Sequence, residues 1–167
     1  WVVDADAELH DDFDFKYIPD VYDQETVHVW SSYNPITGSK YGYGGVKLFN
    51  TAQVMTATSW GLDFTTGLSK RFKFMPEVSC TTRFNTTAYD TWRSAFREVV
   101  KLTVNSDADS QYRIQEWLDP NPNAKFADDA KRGAQEAREF ANWNMDAISE
   151  LDKINDYDWL QKKFNQG

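Results

Sequence analysis

The strongest constraint on how this chain folds is a change of periodicity near residue 85. Residues 1–85 are rich in aromatic, β-branched, Gly and Thr residues, a composition that reads as short strands and loops. Residues 86–167 instead carry their apolar side chains at helical spacing. Strands are expected at Trp1–Asp4, Thr26–Trp30, Val46–Leu48 and Phe72–Met75, with a weaker extended stretch around Met55–Ser59. Pro19, Pro35 and Pro76 punctuate them. A helix is predicted over Tyr89–Val104, because Trp92, Phe96, Val99, Val100 and Thr103 fall on one face, with Thr87 or Asp90 as its cap. Asp119-Pro120-Asn121-Pro122-Asn123 breaks the helical run. Beyond it Ala127, Ala130, Ala134, Ala137, Ala141, Met145 and Ile148 form a stripe of mostly small residues on one long helix, and Tyr157–Phe164 makes a last one. The fold class expected is α/β or α+β: a single domain, residues 1–167, with a small mixed sheet from the first half covered by three to four helices from the second.

Composition narrows the function. Seven Trp, eight Tyr and eleven Phe argue for a packed core and against disorder, and some of these rings are candidates to line a groove. A net charge of −8 disfavours a polymeric nucleic-acid partner, which needs a basic stripe. The densest basic run, Lys70-Arg71-Phe72-Lys73, is short and reads as a solvated strand face or a phosphate contact. A divalent metal would still let so acidic a chain hold a nucleotide-linked donor. With Cys80 as the single cysteine there is no intrachain disulfide and no cysteine zinc site, which fits a cytoplasmic setting. No membrane-spanning run or signal pattern appears. The chain opens on Trp1 in mid-strand, so a fragment of something longer is expected.

Three motifs carry candidate chemistry. Trp1-Val2-Val3 reads as a buried strand, at whose end Asp4 and Asp6 share a side and offer two carboxylates to Mg²⁺ or Mn²⁺. The alternative for that pair is an acidic loop or a helix cap. Tyr41-Gly42-Tyr43-Gly44-Gly45 permits close backbone approach and reads either as a tight turn entering a strand or as a loop that holds a sugar. In Thr26-Val27-His28-Val29-Trp30, alternation sets Val27 and Val29 on one face and His28 and Trp30 on the other. His28 is then a structural residue, a third metal ligand or a phosphate contact. Arg83, in a polar loop before the first predicted helix, either ties loop to sheet or grips a diphosphate bidentately. Asp20, Asp23, Glu25 and Glu77 are candidate bases. No nucleophile signature of the Gly-x-Ser-x-Gly type occurs.

The order of these motifs resembles the metal-binding and acceptor half of a GT-A-type glycosyltransferase, over roughly residues 1–50. It is similar also to glycosyltransferase-like proteins of some tailed bacteriophages. The resemblance implies a partial GT-A-like fold in which Asp4 and Asp6 bind Mn²⁺ or Mg²⁺ and, through it, the diphosphate of a nucleotide-sugar. The same resemblance makes Tyr43, Gly44 and Gly45 candidate substrate contacts in the acceptor loop, while His28 and Arg83 remain donor-binding candidates on their own chemistry. Transfer of a sugar to a carbohydrate or glycosylated acceptor in the host cytoplasm is the activity implied. The chain differs from several such families in placing Val46-Lys47 after the Gly-Gly pair, where acidic residues supply the base. The rival expectation is a non-catalytic module, carbohydrate-binding or virion-associated, that presents an aromatic surface without a metal. A third is metal-dependent nucleotidyl or phosphoryl transfer.

Overall fold

A computed structural model describes residues 1–5, 7–18, 26–40, 44–56, 71–82 and 86–167, apart from the side chains of Gln53 and Arg71. Two compact units emerge: Trp1–Asn34 with Lys40–Arg83, and Pro35–Ser39 with Phe84–Gly167. The first holds a mixed five-stranded sheet and the second a set of helices, as the change of periodicity requires. Among the described residues no helix is long and apolar enough to cross a membrane.

The strands are β1 (Val2–Val3), β2 (Ala7–Leu9), β3 (Thr26–Tyr33), β4 (Gly44–Leu48) and β5 (Arg71–Thr82), in the spatial order β1-β4-β3-β5-β2. Only β3 and β5 run parallel; the other neighbours are antiparallel. β3 is central and buried on both faces, which is why its sequence is apolar on one side and His28/Trp30 on the other. Val27 and Val29 pack with Phe49 and Val54, whereas Trp30 packs with Val46 and Cys80. The strand expected at Trp1–Asp4 is a short, half-exposed edge and not a buried strand, since β4 alone flanks it among the described residues.

One step of β3 sets the shape of the sheet. Trp30 faces Val46 and Ser31 faces Gly44, so Gly45 is an extra residue on β4. On the other side Trp30 faces Met75 and Ser31 faces Val78, so Pro76 and Glu77 are extra on β5. Bulges accept a proline because its missing N–H falls where the ladder is already interrupted. Pro76 therefore does not end the strand, and β5 runs on to Thr82. The weakly extended stretch expected from Met55 is also corrected: Met55 and Thr56 close a helix, α1 (Thr51–Thr56), whose start is fixed by the Asn50 side chain accepting from the Ala52 N–H at 2.8 Å. Residues 57–59 lie outside the described residues.

The helical unit contains α2 (Ala88–Asn105), α3 (Ala108–Leu118), α4 (Ala127–Trp143), α5 (Ile148–Leu151), a 3₁₀ turn at Asp152–Asn155 and α6 (Tyr157–Phe164). Trp92, Phe96, Val99 and Val100 form the buried stripe of α2. Thr87 caps that helix by accepting from the Asp90 N–H, while Thr86 and Thr87 donate to the Asp90 carboxylate at 2.6 and 2.7 Å. The predicted alanine stripe is buried at Ala130, Ala134, Ala137 and Ala141. Gly133 belongs to it: a Cβ there would sit 2.5 Å from the Trp92 carbonyl oxygen, so the two helices touch backbone to side-chain position. The helix ends at Trp143 and does not reach Ile148, because the Asn144 side chain donates back to the Phe140 carbonyl at 2.7 Å. Met145 and Ile148 are consequently exposed.

Candidate functional site

Asp4 directly follows β1, and its N–H donates to the Gly45 carbonyl at 2.9 Å, which extends the β1–β4 pairing by one residue. Its two carboxylate oxygens accept from the Lys47 ammonium at 2.8 and 3.1 Å. The Lys47 side chain is only 12% exposed and that of Asp4 43%, so a nearly buried cation is neutralised by a carboxylate at the rim. As arranged, the ammonium occupies the place where both oxygens of Asp4 converge. Among the described residues no three His, Cys, Asp or Glu side chains gather in a way that could hold a metal.

Strand register decides which of the expected site residues share a face. Directly opposed residues project to the same side, so Val2, Lys47 and Val29 lie on one face and Val3, Val46 and Trp30 on the other. Alternation then puts Asp4 with Lys47 on the first face and His28 with Trp30 on the second. The His28 ring is buried against Tyr17, with centroids 5.3 Å apart, across the sheet from the Asp4 carboxylate. Gly44 and Gly45 are the first residues of β4, at the bulge. A Cβ on Gly44 would meet Val29 Cγ1 at 2.4 Å, and one on Gly45 would meet Cys80 Sγ at 2.1 Å. Packing within the sheet itself thus accounts for both glycines. Glu77 stands exposed in the β5 bulge. Asp6, Asp20, Asp23, Glu25, Tyr43 and Arg83 lie outside the described residues.

The feature that motif reasoning overlooked is an aromatic corner on the Trp30 face. Residues 10–18 form an irregular segment begun by a turn in which the Phe13 N–H donates to the His10 carbonyl. Phe13 and Tyr17 pack onto the buried cluster of Trp30, Val46 and Cys80. The Trp1 ring lies 5.0 Å from that of Trp30 and 6.3 Å from that of Phe13. Phe15 stands edge-on to both Trp1 (5.2 Å, 84°) and Phe13 (4.9 Å, 85°). Edge-to-face pairs contribute about 0.5–1.5 kcal/mol each beyond burial, so these contacts stabilise the corner from below. Even so, Trp1 is 43% exposed and Phe15 41%. An exposed ion pair, Lys16 with Asp14 at 3.1 Å, flanks Phe15 in sequence. The signal available in the sequence was the period of two in Phe13, Phe15 and Tyr17.

Comparison with family models, with curated proteins and with solved structures finds no match for this chain.

Proposed function

We propose that the strand-rich unit is a non-catalytic carbohydrate-binding module, with Trp1 and Phe15 as the platform for a neutral sugar. The observation that supports this is the exposure of two perpendicular rings fixed by Phe13 and Trp30 beneath them. Pyranose rings present C–H faces that stack on aromatic walls, and their hydroxyls need polar partners, for which Asp14 and Lys16, on either side of Phe15 in sequence, are the candidates. A net charge of −8 turns away polyanions but not neutral glycans. The Asp4–Lys47 pair supports the same reading, because a sheet-stapling ion pair on the opposite face needs no ligand to explain it.

Metal-dependent sugar transfer is the second reading, favoured by the position of Asp4 immediately after β1. One experiment separates the two. Neutral oligosaccharides are titrated into the full chain in EDTA and followed by tryptophan fluorescence and NMR. The module reading expects saturable binding in EDTA, weakened about tenfold by Trp1→Ala if one stacked ring contributes about 1.5 kcal/mol. Binding seen only with Mn²⁺ and a nucleoside diphosphate supports the transferase and overturns the module.

A further inference from the structure

A second surface lies at the other side of the sheet and is independent of the aromatic corner. β5 is bordered by β3 along one side, but β2 borders it only at Cys80–Thr82, with one further bond from the His10 N–H to the Ser79 carbonyl. Among the described residues nothing pairs with the outer side of Arg71–Met75. In a parallel pair every second residue turns its N–H and C=O away from its neighbour. Among the described residues this stretch therefore presents a short row of backbone groups with no strand beside it, bounded at one end by the Pro76–Glu77 bulge.

The side chains along this edge state what it would accept. Phe72 faces Val27 and Phe74 faces Val29, so both rings extend the apolar face whose buried part is Val27, Val29 and Phe49. They nevertheless remain 43% and 55% exposed. Lys73, on the opposite face, is exposed. Pairing of two copies through this edge would set like charges against each other, a standard guard against self-association. A strand carrying acidic residues would meet the opposite sign.

We infer that the Arg71–Met75 edge of β5 is a docking site for an extended acidic peptide segment of a partner protein, which adds to the sheet as a further strand. Backbone bonds would supply register, the half-exposed Phe72 and Phe74 would cover alternate apolar side chains, and Lys73 would select acidic ones.

The test uses the full chain and two synthetic peptides of equal length, one alternating glutamate with valine and the other lysine with valine. Amide hydrogen exchange over residues 71–75 is the readout. The expected result is slowed exchange of the outward-facing amides with the acidic peptide only. That protection should weaken about tenfold in Lys73→Glu and fall as salt rises. Equal protection by both peptides, or by neither, overturns the inference. So does protection in the peptide-free monomer, which would show the edge covered by the chain itself. Protection that tracks protein concentration alongside dimers in sedimentation would assign the edge to a second copy and overturn it as well.

Discussion

Removing one partner at a time from the Asp4–Lys47 pair should have unequal consequences. In Asp4→Asn the nearly buried ammonium keeps a single amide acceptor and loses its counter-charge. A hydrogen bond to a charged group contributes about 1.5–3 kcal/mol, and orphaning a fully buried charge costs about 3–5 kcal/mol. Because the carboxylate lies at the rim, solvent screening reduces the loss to about 1–2 kcal/mol. Lys47→Met keeps the packed stem, and the abandoned carboxylate is hydrated where it stands, so about 0.5 kcal/mol is expected. The double variant should resemble Lys47→Met alone. Hydrogen exchange of the Asp4 amide, which bonds Gly45, reports the local free energy without requiring the whole chain to unfold in one step. Equal effects of the two single variants would refute the reasoning. A loss in Asp4→Asn that appears only when Mn²⁺ is present would refute it too.

Three further outcomes follow from the geometry. Gly45→Ala should destabilise the sheet by about 1–3 kcal/mol, since its methyl would meet Cys80 Sγ, and Cys80→Ala in the same chain should recover most of that loss in urea unfolding. Ser106, exposed at the end of α2 with a φ of 55°, holds a conformation that favours glycine; Ser106→Gly should raise stability by about 1 kcal/mol by the same assay. Burial works against ionisation of Asp90, but the Thr86 and Thr87 hydroxyls and the Arg93 guanidinium outweigh it and hold the carboxyl below its usual value. Hydrogen bonds from the Ser110 backbone and side chain do the same for Asp107. A lowered folded-state value means that each cap contributes above the unfolded value of about 3.9 and loses its contribution as pH falls through the folded one. The difference in thermal midpoint between the native chain and Asp90→Asn should therefore be largest near neutral pH and vanish in strong acid.

Local periodicity made much of the fold legible. The helical repeat of Trp92, Phe96, Val99 and Val100 located α2, and the alternation in Val27–Trp30 assigned both faces of β3. What escaped was set by distant partners. Ala7-Glu8-Leu9 alternates but is only three residues long, and it is a strand because Thr81 and its neighbours lie beside it. Gly44-Gly45 left a tight turn and a ligand loop equally open because glycine permits several uses; only the positions of Val29 and Cys80 reveal the crowding at the bulge. Asp4 drew attention through its nearness to Asp6, whereas the ion pair that holds it is formed with a lysine 43 residues away. Such pairings depend on register across strands, and sequence spacing carries no record of them.

The central claim is that the Asp4 carboxylate is held by Lys47; on the proposed module reading, ligands of this unit meet aromatic rings and no metal. Electron paramagnetic resonance of Mn²⁺ added to the chelator-treated chain, with and without a nucleoside diphosphate, tests it most directly. The expected result is a free-ion signal that the protein does not diminish and that is the same for Asp4→Asn. One manganese bound per chain, lost in Asp4→Asn, would contradict it.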